Sequence, residues 1–352
     1  MKLTKAMQKG MWSIVLIVGS LFLLVLAVWK FDIGERNIEF VAHCNKLEMI
    51  GAFALISLSM PFVALRWRAL FPQVEKDKSN FLYMTGILSV AFVCNLALPG
   101  PVGEVVSASM VHKKYKLSMP LSFSTLILSR IIGLTSACAI SGIVFLIAPF
   151  DISQEWRDAL MVTAILLLFC SVCLLWVAYQ PMFWKKIVQN IPHPRFVQKL
   201  WDFADDTFDA LQQTLFVGKK AYIESLFWAL LGHVMVSVGI YFACSSIDVS
   251  VDFSAILFTY AASVAASVAM FMLPGSGLGW DVLFATTLSS TGGIDLVSAG
   301  VVALVVRIQQ LFVAVVGVLF VWFVSRDFVD SLSIDLKAHS KKNYDSVDVN
   351  ET

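Results

Sequence analysis

The sequence predicts an all-α polytopic membrane protein with six full spans, two re-entrant hairpins and an inverted-topology repeat. Three observations lead there. Of 352 residues, 58% are apolar and only 14% are charged, against about 45–50% and about 25% in soluble domains. The charges cluster, leaving uncharged runs at 11–29, 81–103, 159–184, 225–247 and 253–280. A bilayer core of about 30 Å takes about 20 helical residues to cross, so these runs are long enough. Two of them are interrupted by Pro/Gly loops. This composition excludes most soluble enzymes, nucleic-acid-binding domains and disordered scaffolds. The net charge of +1 implies no nucleic-acid partner.

Lys2, Lys5 and Lys9 precede the first apolar run, which ends without a small-residue cleavage site. The run 11–29 is therefore expected as a retained first span. Further spans are expected near 47–65, 118–148, 159–180, 221–245 and 297–325. Segments 81–112 and 253–292 are each broken by a loop. The first loop holds Pro99, Gly100 and Gly103; the second holds Pro274, Gly275, Gly277 and Gly279. Beyond each loop only about ten residues remain before a polar stretch, too few to span but enough for the return arm of a hairpin. Residues 196–215 set Phe196, Leu200, Phe203, Leu211 and Leu215 against Asp202, Asp205, Asp206 and Asp209. That acidity suits a helix packed on the cytoplasmic face rather than one binding anionic lipid. Cys170 and Cys173 form a C-x-x-C in mid-span and read as packing. Residues 1–326 form one membrane domain, and 327–352 read as a disordered cytoplasmic tail.

Sorting the basic residues by side gives the topology. With both termini cytoplasmic, 20 Lys and Arg fall inside and 4 outside, as the positive-inside rule requires. The bias survives only if both broken segments return to the side they entered. The first hairpin then enters from the cytoplasm and the second from outside.

A repeat follows from spacing. Glu104 and Arg130 are 26 residues apart, as are Asp281 and Arg307, with an offset of 177. The units run about 81–148 and 253–325 and lie in opposite orientations. At 1.5 Å per residue both arginines sit about 15–18 Å deep. Such depth costs at least about 2.5–3.5 kcal/mol without a partner or a wet cavity. Each arginine is expected to pair with a hairpin acid, from its own unit or the other. Gln310 joins Arg307 on a face with Ala303, Ala314 and Gly317; Gly133 and Ala137 hold the matching positions near Arg130. Two readings stay open: the pairs staple the hairpins in place, or they line a polar cavity open alternately to each side.

Further candidates are His233, as a proton relay or an interhelical hydrogen bond, and Arg66 and Arg68, as interface anchors together with Trp67 or as lipid-phosphate contacts. His112, Lys113, Lys114 and Lys116 could hold anionic headgroups. Enzyme motifs are near misses only. Trp280 interrupts a G-x-G-D before Asp281, and the rhomboid-type G-x-S-G is absent. There is no H-E-x-x-H and no metal-ligand cluster in the sequence. No enzyme, cofactor or metal is expected.

Arg66-Trp67-Arg68, the Leu-Pro-Gly loop with Glu104, mid-span Arg130, the Pro-Gly-x-Gly-Leu-Gly loop with Asp281, and Arg307 resemble the lysylphosphatidylglycerol synthase transmembrane family. This is the flippase-like membrane domain of the multiple peptide resistance factor, here as a stand-alone member over about 11–326. The resemblance implies a lipid translocase of a bacterial or archaeal cytoplasmic (cell inner) membrane. It would move an anionic phospholipid or polyprenyl/glycolipid headgroup, its partners being membrane lipids and an enzyme of lipid or glycan synthesis. The family's aminoacyltransferase domain is missing, so lysyl transfer is not expected. Ser107 stands where the family often has arginine, Asp281 where it commonly has Glu, and Ser129 and Val306 where an acid often precedes the arginine. The alternatives are an ion-coupled carrier of a small anionic solute, with Asp281, Glu104 or His233 as coupling site, and a non-transporting scaffold in a glycolipid pathway.

Overall fold

The computed structural model describes residues 44–97, 102–148, 150, 152, 154–190, 198–215, 218–270 and 276–324. The expected first span, the tail, and Pro99, Gly100, Pro274 and Gly275 lie outside them. Every described element is a helix: α1 (Lys46–Ser57), α2 (Ser59–Arg68), α3 (Gln73–Lys78), α4 (Phe81–Ala97), α5 (Val102–Tyr115), α6 (Met119–Ile147), α7 (Gln154–Tyr179), α8 (Pro181–Gln189), α9 (Gln198–Leu215), α10 (Lys219–Ser246), α11 (Phe253–Met270), α12 (Ser276–Gly292) and α13 (Leu296–Val324). Helices satisfy every backbone group internally, as hydrocarbon surroundings demand.

Five helical stretches are long and apolar enough to cross a membrane: Lys46–Arg68, Met119–Ile147, Arg157–Trp176, Lys219–Ser246 and Leu296–Val321. They coincide with five of the expected spans. The first is broken at Leu58 between α1 and α2. Pro61 has no N–H for the Ser57 carbonyl, which is a sufficient cause of a break. The Ser57 hydroxyl donates back to the Phe53 carbonyl at 2.6 Å and accepts from Gln309 Nε2 at 2.8 Å.

Two three-helix units recur. α4, α5 and α6 have 17, 14 and 29 residues; α11, α12 and α13 have 18, 17 and 29. Within each unit, consecutive helices pack together. Between units, α13 packs on α4 and α6 packs on α11, so each long helix lies against the other unit's first arm. The α4–α13 approach depends on Gly86 and Gly317, where a Cβ would overlap Val321 and Ser89 respectively. Both long helices start at a capping side chain. Ser118 Oγ accepts from Leu121 N at 3.3 Å, and Asp295 Oδ1 accepts from Val297 N and Ser298 N at 3.0 Å. These caps repeat the offset of 177 and satisfy orphan donors of the first turn.

One apolar core joins α1 and α10–α13 to the end of α6, where Phe145 and Phe258 rings stand 5.2 Å apart. A second joins α2, α4, α5 and the start of α6. Trp67, expected as an interface anchor, is fully buried in this second core, and its Nε1 donates to Thr125 Oγ1 at 3.1 Å. α9 packs on α6 through Phe203 and Phe123. Two of its acids bond α8: Asp209 pairs with Lys185 at 2.6 Å, and Asp205 accepts from Gln189 at 2.9 Å.

Candidate functional site

Both acid–arginine pairs close within their own unit. Glu104 opens α5 and Arg130 lies midway along α6; Arg130 Nη2 is 3.0 Å from Glu104 Oε1. Asn95 on α4 braces this end of α5. Its Oδ1 accepts from Gly103 N at 2.8 Å, and its Nδ2 reaches Glu104 Oε1 at 3.4 Å. The Arg130 side chain nevertheless remains 42% exposed. Glu104 Oε2 is buried and bonded by no described residue.

A second arginine joins this group. α2 turns Arg66 inward, against α6. Its Nε donates to Ser129 Oγ at 3.1 Å, and its carbonyl accepts from Ser225 Oγ on α10 at 3.1 Å. The guanidinium lies on Gly133, where any Cβ would overlap it. Arg66 lies within electrostatic range of Arg130 and Glu104. Among the described residues, two guanidiniums and one carboxylate are thus gathered here, a formal excess of one positive charge.

His233 on α10 closes the same cluster. Its Nε2 is 3.2 Å from the Gly133 carbonyl and 3.1 Å from Ser136 Oγ. The Tyr260 ring of α11 lies 5.8 Å from the imidazole. The interhelical hydrogen bond expected as one role for His233 is therefore present.

The second pair is built differently. Asp281 on α12 takes Arg307 Nε at 3.0 Å and Nη2 at 2.8 Å on one oxygen, with Nε also 3.2 Å from the other. Gln310 Oε1 accepts from Arg307 Nη1 at 3.2 Å. The guanidinium lies 5.2 Å from the Trp280 ring centroid, in cation–π range. Side-chain exposure falls to 10% for Arg307 and 5% for Asp281. Among the described residues, charge here balances.

The profile of the lysylphosphatidylglycerol synthase TM region matches residues 11–317. The chain belongs to that family. A stretch of 134 residues is also 26% identical to the glycosyltransferase AglD of Haloferax volcanii, covering 37% of this chain and 21% of that protein. The chain thus spans about a fifth of that relative's length. No solved structure matches the chain.

For this family member, the structure gathers Arg66, Glu104, Arg130 and His233 at one place, and Asp281, Arg307 and Gln310 at another. Arg68 lies at the end of α2, donating to Ser79 Oγ at 2.9 Å and to the Lys76 carbonyl at 3.1 Å. Gly277 and Gly279 fall in the first turns of α12. The sequence reading missed Asn95, Ser129 and Tyr260. Each is a polar side chain within an apolar segment, and that oddity was the available signal.

Proposed function

We propose that this chain is a lipid translocase that carries an anionic headgroup through the membrane at the Arg66–Arg130–Glu104 cluster. The observation that carries the reading is Arg130. It lies midway along a 29-residue apolar helix, yet its side chain is 42% exposed, with one carboxylate paired to it and a second guanidinium in electrostatic range. A cation at that depth is expensive unless it serves a ligand or a wet path. An arriving anion takes Arg130 from Glu104, and the acyl chains stay in lipid between helices. When the headgroup leaves, Glu104 re-pairs.

The two units are read as inverted repeats, with α4–α5 and α11–α12 as re-entrant hairpins. Matching helix lengths, the shared offset of caps and ion pairs, and the reciprocal packing of α6 on α11 and α13 on α4 support this. α4 and α11, of 17 and 18 residues, are also at the short end of what a span takes. Alternate exposure of a midplane site then follows from rocking one unit against the other. The reading places the chain in the cytoplasmic membrane of a bacterium or archaeon with both termini inside. It works as a carrier rather than an enzyme. The likeness to a glycosyltransferase fits a partner enzyme of glycan synthesis.

The test is leaflet exchange of a labelled anionic phospholipid in proteoliposomes. Arg130→Gln is expected to lower the rate about tenfold or more, which corresponds to at least 1.4 kcal/mol. An unchanged rate overturns the reading. Electrogenic uptake of a small anion without lipid movement replaces it with the ion-coupled carrier.

A further inference from the structure

Arg66, His233 and Tyr260 meet at a point where the polar capacity of each is left open. His233 is 6% exposed and Arg66 7%. The Gly133 carbonyl can only accept, so His233 Nε2 carries the proton that bonds it. In the neutral ring Nδ1 is then a lone-pair acceptor. It is buried, and no described residue bonds it. Arg66 spends Nε on Ser129; among the described residues, nothing accepts from its Nη1 or Nη2. Tyr260 stands over the imidazole and interacts electrostatically with Arg66. Its hydroxyl has no hydrogen-bond partner among the described residues. Donors toward an anion and an acceptor toward a hydroxyl therefore lie side by side, on three different helices.

We propose that this is a headgroup-reading subsite for a monoanionic phosphodiester that carries free hydroxyls. The inference rests on the translocase reading and names its substrate class. The charge follows from the cluster. Two guanidiniums and one carboxylate are neutralised by one negative charge, which a phosphodiester supplies. A phosphomonoester brings about −1.5 to −2 and overshoots. A buried site left with unbalanced charge is unfavourable in either sense. The hydroxyl follows from His233. A buried acceptor with no donor is costly, and a ligand hydroxyl that bonds it removes the cost. Arg66 takes the phosphoryl oxygen, Nδ1 accepts from the hydroxyl, and Tyr260 covers the headgroup. Gly133 keeps this space clear, because any side chain there displaces Arg66. Two lipid sources share this chemistry: a phospholipid with a polyol headgroup, and a polyprenol joined to a sugar through one phosphate.

The test uses the full chain in proteoliposomes. Four probes are compared: labelled phosphatidylglycerol, its headgroup di-O-methyl ether, labelled phosphatidic acid, and a mannosyl phosphopolyprenol. Leaflet exchange is read by dithionite quenching for the first three and by lectin accessibility for the last. The expected result is that phosphatidylglycerol, the mannosyl lipid or both move about tenfold faster than the ether and phosphatidic acid, the worth of one hydrogen bond or one mismatched charge. The faster of the two names the source. His233→Phe is expected to erase the preference over the ether, the ratio of the two rates falling to about one. If the wild-type protein moves the ether or phosphatidic acid as fast as the hydroxyl-bearing diesters, the subsite is overturned and the translocase reading stands. If none of the four lipids moves, the translocase reading fails and takes the subsite with it. The comparison within the wild-type protein needs no variant to fold.

Discussion

Asp281–Arg307 and Glu104–Arg130 occupy equivalent places in two similar units, yet one pair is closed and the other open. Two positions account for the difference. Trp280 precedes Asp281 and covers Arg307, whereas Gly103 precedes Glu104 and covers nothing. Gln310, three residues after Arg307, accepts from it; Gly133, three residues after Arg130, has no side chain and admits Arg66 instead. A tryptophan and a glutamine thus complete one pair, and two glycines leave the other open to a third charge. On the proposed reading, the same motif is a fastener in one unit and a receptor in the other, so that each of the two readings left open by the sequence belongs to one unit.

The comparison breaks most visibly at the closed pair. Asp281→Asn leaves Arg307 buried without a counter-charge and is expected to cost about 3–5 kcal/mol, read as a large drop in thermal midpoint in detergent. Asp281→Leu combined with Arg307→Met should recover most of that loss, since a buried pair is often replaceable by apolar packing. At the open pair the pattern inverts. Arg130→Gln should change stability by about 1 kcal/mol or less, as for other half-exposed ion pairs, while lipid exchange falls about tenfold or more. Gly133→Ala sharpens the contrast. It should leave the helix intact, because alanine favours helix over glycine by about 1 kcal/mol. It should still lower lipid exchange by pushing Arg66 aside, whereas Gln310→Ala, at the equivalent place, should leave exchange unchanged.

The smallest effects concern the caps. Ser118→Ala and Asp295→Ala should each cost about 1 kcal/mol. Only the second is pH-sensitive. The Ser298 hydroxyl and backbone amide hold the Asp295 carboxyl below its ordinary range. A carboxyl whose folded value is lowered stabilises the fold above its ordinary range and loses that contribution as pH falls through the lowered value. Thermal midpoints of the wild-type and D295A chains should therefore converge in acid, while the gap between wild-type and S118A stays constant.

Much of this was legible in the sequence for a physical reason. Hydrocarbon excludes charge, so the few ionisable residues inside apolar runs stand out, and equal spacing picked out Glu104, Arg130, Asp281 and Arg307 while leaving open which acid each arginine meets. Five spans were legible because a continuous apolar run of sufficient length has little alternative as a helix. The place of Arg66 was not legible. It sits at the end of an apolar segment, where a snorkelling anchor is the ordinary expectation. Its turn inward depends on a contact with Ser129, 63 residues away, and on a space that only Gly133 provides. Trp67 was misread for the same reason: spacing along the chain does not reveal which side of α2 meets α6. The orientation of the α9 acids toward α8 depended likewise on a neighbour that helical periodicity cannot see.

The break between α1 and α2 has a mechanical consequence. Ser57, on one side of it, is held by Gln309 of α13; Arg66, on the other, is held by Ser129 of α6. The two attachment points are nine residues apart, about 13 Å along the axis. One strut is therefore pinned at either end to the long helix of a different unit, with its elbow between the pins. If α6 and α13 slide past one another, the strut must flex at Leu58 or let go at one end. The interruption at Leu58 thus lies between two pins set on different units, and Arg66 rides on the half beyond it.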